Sequence, residues 1–151
     1  MIRIQTLMRK IFEEITFFGG IAFYMFIIFL LLILGKIDYV IQISMGLIAI
    51  YLITLVIRIF YFKERPKKIH YEKFLEKIDA SSFPSVHAAR VVFLGLFVIF
   101  NLVELIYLIL LVPLLISVLY SRIYLKKHDI RDIFGGVALG IFVFWILYMF
   151  F

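Results

Sequence analysis

The chain has no cysteine. Disulfides, thiolate metal ligands and a cysteine nucleophile are therefore excluded, and the redox compartment leaves no trace in the sequence. It also lacks any soluble stretch longer than the roughly 30 residues between Arg58 and Val91, which is too short to bury a core of its own. No small-residue cleavage site closes the first apolar run, and Arg3, Arg9 and Lys10 are followed by Glu13 and Glu14, so this segment reads as retained. Internal repeats and low-complexity tracts are missing. What fills the chain is apolar: 66% of its 151 residues are hydrophobic and its mean hydropathy is +1.14, whereas about half the residues of a soluble domain are apolar. This is the composition of a membrane protein, and any chemistry must sit on its helix bundle.

A span needs about 20 apolar residues to cross about 30 Å of hydrocarbon. Ile15 to Gly35 and Tyr39 to Ile57 meet that requirement, with a hairpin break at Lys36, Ile37 and Asp38. Val91 to Ser121 is charge-free except for Glu104, which with Asn101 predicts a tight polar turn between two spans. The first of these is long enough only if it begins near Val86, with Arg90 inside its first turns. Ile133 to Phe151 makes the fifth. In residues 1–14, Ile2, Ile4, Leu7, Met8, Ile11 and Phe12 interleave with Arg3, Gln5, Arg9, Lys10, Glu13 and Glu14, which predicts an amphipathic helix at the interface. The expected fold class is all-α, a polytopic membrane helix bundle of about five transmembrane helices plus an N-terminal interfacial helix. It forms a single membrane-embedded domain over residues 1–151.

The formal charge of +6 is unevenly placed. Five spans put the N-terminus, residues 58–90 and residues 122–132 on one face, which then holds 15 of the 16 Lys and Arg residues; only Lys36 lies opposite. Because these cations adjoin spans and are mixed with acids, the expected partner is an anionic lipid surface rather than nucleic acid. Lys67, Lys68, Lys73 and Lys77 with Glu72, Glu76 and Asp79 suggest a solvated surface helix. His70 reads as solvent-facing, and Gly135, Gly136 and Gly140 as close-packing positions in the last span.

Three short stretches hold nearly all the reactive groups, each where a span meets the basic face. They are Arg58, six residues, then Arg65-Pro66; Ser82-Phe83-Pro84-Ser85-Val86-His87; and Ser121-Arg122, five residues, His128, three residues, Asp132. Guanidinium forks bind phosphate oxygens through paired charge-assisted bonds and keep their charge. A helix starting after Pro84 would aim the Ser85 side chain and the Val86 N–H at an anion. If the last helix begins by Asp129, His128 and Asp132 share a face, and the carboxylate can orient the imidazole and leave its other nitrogen as a nucleophile. His87, from another span, would give its proton to the leaving oxygen. Phosphoryl transfer asks mainly for in-line positioning and charge stabilisation, which this inventory can supply.

The three stretches resemble, in order, spacing and position relative to the spans, the signature of the type 2 phosphatidic acid phosphatase superfamily, which also includes vanadium haloperoxidases. Its pattern is Lys, six residues, Arg-Pro; Pro-Ser-Gly-His; and Ser-Arg, five residues, His, three residues, Asp. The resemblance covers roughly Arg58 to Phe151. It implies that His128 attacks phosphorus to form a phosphohistidine, that Asp132 orients it and that His87 protonates the leaving alcohol. Arg58, Arg65, Ser85 and Arg122 would bind phosphate with the Val86 backbone, and water would hydrolyse the phosphohistidine with no metal or cofactor. Arg58 stands where the family has lysine and Val86 where it has glycine. The family commonly has six spans, so this bundle is short of one. That leaves a side open or filled by a partner subunit, a homo-oligomer being one way to fill it.

The expected substrate is a lipid monophosphate or diphosphate with its tail in the bilayer: a polyprenyl diphosphate, phosphatidate, phosphatidylglycerophosphate or lipid A phosphate. The alternative is a catalytically silent lipid-phosphate-binding membrane protein, favoured only by Val86. A transporter or channel is disfavoured because the spans carry almost no charge except at their ends. The expected localisation is the cell membrane, multi-pass. With Arg58, Arg65, Arg90 and Arg122 set aside, the site face keeps eleven Lys and Arg against one, which makes it cytoplasmic by the positive-inside rule. The resemblance points instead to the outer face.

Overall fold

The structure, a computed structural model, describes residues 2–67, 70–102 and 105–151. Among these residues every regular element is helical: α1 (Ile2–Ile15), a 3-10 turn (Thr16–Gly19), α2 (Ile21–Ile33), α3 (Ile37–Phe60), α4 (Phe74–Ala80), α5 (Val86–Asn101), a second 3-10 turn (Leu105–Tyr107), α6 (Leu108–Tyr124) and α7 (Ile130–Tyr148). Each expected apolar run carries an apolar helix. By length and composition α3 and α7 can each cross a bilayer, and α1 with α2 passes as a pair bent by 43°; α5 and α6 are apolar but shorter.

The first run departs from the continuous helix expected over Ile15 to Gly35. The chain is broken at Thr16–Gly20, where Gly20 is extended at φ −73° and ψ 158°. The break sets Gly19 against the His87 ring, which fills the space where a Cβ would lie. Before it, α1 forms as the amphipathic pattern predicts and packs on α6, with Phe12 placed 5.4 Å from Tyr120 and 4.6 Å from Tyr124, ring centre to ring centre. The expected surface helix over residues 67–79 shrinks to α4, with Lys68 outside the described residues. Glu76 accepts from the Glu72 and Lys73 N–H groups, so it caps the helix start instead of pairing along a longer helix. The expected turn at Glu104 lies outside the described residues. His70 is exposed, as expected.

The core joins α2, α3, α5 and α7 through Tyr24, Ile43, Ile50, Phe93, Phe97 and Phe144, and Tyr24 also donates from its hydroxyl to the Ile43 carbonyl at 3.1 Å. The outer surfaces are apolar too, as at Phe29, Ile33, Leu52 and Phe142. Apolar residues facing both inward and outward are what a bundle solvated by lipid requires. The closest packing is between α5 and α7. A Cβ on Gly136 would strike the Ser85 carbonyl, and one on Gly140 the Ala89 carbonyl. These two glycines bring the start of α7, with Asp132, against the start of α5, with His87.

Candidate active site

Four chain segments meet at one end of the bundle. The strand-like segment after α3 is tied to the approach to α5: Ser82 N–H donates to the Lys63 carbonyl at 2.8 Å and Lys63 N–H to Ser81 Oγ at 3.3 Å. Helix α5 begins at Val86 because Ser85 caps it, its Oγ accepting from the Ala88 N–H at 3.4 Å. Asp129 caps α7 in a reciprocal box with Asp132, each side chain accepting the other's backbone N–H at 3.0 Å. Carboxylates at a helix start also suit its dipole.

Between these ends lies a cavity of about 370 Å³. Of the eight residues expected at the site, Arg58, Arg65, Val86, His87, Arg122 and His128 line it. Ser85 and Asp132 lie fully buried behind it. Ser85 is thus committed to its cap, while Val86 at the first helical position lines the cavity. Among the described residues Lys126 is the only non-glycine with positive φ, so valine meets no backbone penalty at position 86.

The guanidinium groups are held by uncharged partners, mostly carbonyls and hydroxyls. Arg58 donates to the Ile78, Asp79 and Pro84 carbonyls at 3.4, 3.5 and 3.3 Å. Arg65 donates to the Asp79 carbonyl at 2.7 Å and Arg122 to Thr16 Oγ1 at 3.0 Å. A fourth, Arg90, also lines the cavity. In all four the Nε is buried and has no partner among the described residues. Orphaned buried donors around one space are the signature of an anion site.

His128 lies in the turn before α7, 4% exposed. Its Nδ1 is 3.6 Å from Asp132 Oδ2, an electrostatic distance rather than a hydrogen bond. Burial, then Arg122 and Arg65, push its pKa down to about 4, against the pull of Asp132, so the ring is neutral at pH 7. Asp132 is itself paired: Lys63 Nζ reaches its Oδ1 at 2.7 Å and Asp129 Oδ2 at 2.6 Å, and Ser82 Oγ donates to Oδ1 at 3.3 Å. Lys63 pays partial desolvation, yet its bonds to Asp129 and Asp132 hold its pKa above the ordinary lysine value.

His87 is bonded at both nitrogens. Arg90 Nη2 lies 3.2 Å from Nδ1, and Nε2 lies 2.7 Å from the Thr16 carbonyl and 3.3 Å from its hydroxyl. An arginine can only donate, so Nδ1 accepts and the ring proton sits on Nε2, donated to Thr16. The two histidines therefore reach one cavity from separate elements, though His87 turns its proton toward the N-terminal turn.

Sequence reasoning missed Lys63, Arg90, Thr16 and Asp129. Two had a signal: Asp129 begins an Asp-x-x-Asp capping pattern, and Arg90 follows His87 by three on the same helix face. Thr16, 71 residues from His87, had none. Among the described residues no group of three or more His, Asp or Glu side chains is arranged to hold a metal.

The family model of the PAP2 superfamily matches residues 39–151, all three stretches included. The chain belongs to the PAP2 superfamily. No individually curated protein matches it. The PAP2 fold is also seen in its likeness to the crystal structure of a transmembrane PAP2-type phosphatidylglycerolphosphate phosphatase from Bacillus subtilis, with a TM-score of 0.74 and 21% identity, covering 95% of this chain and 76% of that one. At that identity the likeness is one of fold. The PAP2 match begins inside α3, so α1, α2 and the Thr16 turn that touches His87 lie outside it.

Proposed function

We propose that this PAP2 protein is a multi-pass membrane lipid phosphatase in which residues 1–151 serve as one domain. The observation that carries the reading is the convergence of His87 and His128 on a cavity walled by four guanidinium groups with unpartnered Nε atoms. His128, neutral and with Nδ1 toward Asp132, attacks phosphorus through Nε2. The N–P bond forms as the P–O bond to the lipid breaks. Arg58, Arg65 and Arg122 bind the equatorial oxygens, and these charges are worth most in the transition state. Entry of the phosphate charge lets His87 take up a second proton at Nδ1 in place of the Arg90 bond, and this imidazolium turns from the Thr16 carbonyl and gives its Nε2 proton to the leaving oxygen, returning to the neutral ring. Water then hydrolyses the phosphohistidine, returns a proton to His87 and frees His128.

A cavity lined by four fixed positive charges repels a divalent cation, which supports a metal-independent mechanism. The silent-binder alternative drew only on Val86, which opens α5 as an ordinary helical residue. The test is phosphate release from lipid phosphates in detergent or nanodiscs. His128→Ala should abolish it, and vanadate, whose trigonal bipyramid mimics phosphorus under attack, should block the wild type. Turnover that persists in His128→Ala would remove the nucleophile from the scheme.

A further inference from the structure

Arg90 has no part in the scheme above, yet it is a buried charge inside an apolar helix. It is 7% exposed, and among the described residues it forms no ion pair. Nη1 donates to the Tyr51 hydroxyl at 2.9 Å and Nη2 to His87 Nδ1 at 3.2 Å, while Nε is buried with no partner. A guanidinium cannot shed its charge, and a buried cation without a counter-ion is costly. Its position calls for an anion brought from outside the chain.

The transferred phosphate already has its partners. A phosphate monoester carries at most two charges, and Arg65 and Arg122 act directly on His128, with Arg58 beside Arg65, while Arg122 also reaches the Thr16 turn against His87. Arg90 instead lies against His87, the group that serves the leaving oxygen. A fixed cation on that side meets charge carried by the leaving group itself.

We infer that Arg90 selects lipid phosphates whose leaving group bears a second phosphate, joined directly as in a prenyl diphosphate or through glycerol as in phosphatidylglycerophosphate. The inference rests on reading the cavity as a phosphatase site. With a diphosphate, the His128 N–P bond forms as the bridging P–O bond breaks, and the electron pair stays on the departing lipid phosphate, where Arg90 meets the added charge. Water's oxygen then bonds phosphorus, the N–P bond returns its pair to His128, and the displaced proton goes to the released phosphate. With a glycerol-spaced substrate, His87 protonates the alkoxide and recovers a proton from the attacking water.

The experiment compares substrates with matched tails: farnesyl diphosphate against farnesyl monophosphate, and phosphatidylglycerophosphate against phosphatidate. Wild-type kcat/KM should favour the doubly phosphorylated member of at least one pair by about tenfold or more, and which pair does so separates direct from glycerol-spaced linkage. Arg90→Gln should bring that ratio toward one, and Arg90→Lys should restore part of it. No preference in either pair, or an equal loss for both members in Arg90→Gln, overturns the inference. A readout independent of turnover and of the Arg90 variants uses His128→Ala protein. Pyrophosphate or glycerol 1,3-bisphosphate should raise its unfolding temperature more than phosphate at equal concentration, and equal shifts overturn the assignment. Absence of turnover on every lipid would defeat the phosphatase reading while leaving this binding measurement to judge whether the cavity prefers a second phosphate.

Discussion

At the scale of residues, the site is governed by how its few acids are shared. Asp132 is buried, and Lys63 and Ser82 bond one of its oxygens while the other accepts from the Asp129 N–H, so His128 faces a carboxyl group already engaged. Burial, Arg122 and Arg65 then keep the imidazole neutral down to about pH 4. A 15N-histidine NMR titration of the substrate-free protein should place the His128 midpoint near there, not at the usual value of about 6.5. Because the unfolded chain takes up this proton first, the stabilising contribution is complete above about pH 6.5 and disappears as pH falls toward about 4, and the unfolding temperature should drop across that window. Lys63→Met leaves Asp132 unshared and should raise the His128 midpoint by about one unit. Lys63→Arg should hold it near the wild-type value; an unmoved midpoint in Lys63→Met would show that Lys63 only anchors the loop. The meeting of His128, Asp132 and three arginines at one end of the bundle was legible because these residues stand at fixed spacings beside the spans. Lys63 was not, since its partners are met through an extended segment with no periodicity.

At the scale of elements, helix starts and helix breaks place these groups. The helices themselves could be read from apolar runs, because a span has little freedom in length. The break at Thr16–Gly20 could not, because the ring it packs against comes from α5, far along the chain. Gly19 admits His87, and Thr16 accepts hydrogen bonds from His87 and Arg122, so the N-terminal segment shapes the His87 side of the cavity. Gly19→Val would drive a side chain into the imidazole. The expected outcome is a fall in kcat of about tenfold or more, with helical content by circular dichroism unchanged. Wild-type kcat in that variant would mean that the ring does not occupy this place during turnover. Gly136 and Gly140 show the opposite case: three small residues spaced along an apolar helix suggested close packing, and α5 is indeed what approaches.

At the scale of the whole molecule, the bundle is basic at one end and apolar along its flanks, and this asymmetry is the ground for predicting its orientation. The cavity end carries Lys63, Lys67, Lys73 and Lys77 from the segment after α3 and Lys126, Lys127 and Arg131 around the start of α7, while Lys36 stands alone at the other end. Positive segments beside short loops are retained on the cytoplasmic side, and the anionic inner leaflet attracts them further. The chain has no cysteine, so a single introduced cysteine can be labelled without background. In intact cells, an impermeant maleimide should label Lys36→Cys and leave Lys73→Cys unlabelled until the membrane is opened. The reverse pattern would turn the cavity outward. Both positions are exposed, so accessibility reports the membrane side alone. With Lys73 inside, lipid head groups reach His128 from the inner leaflet and phosphate is released to the cytoplasm. With Lys73 outside, the same residues would act on lipids already carried to the outer leaflet.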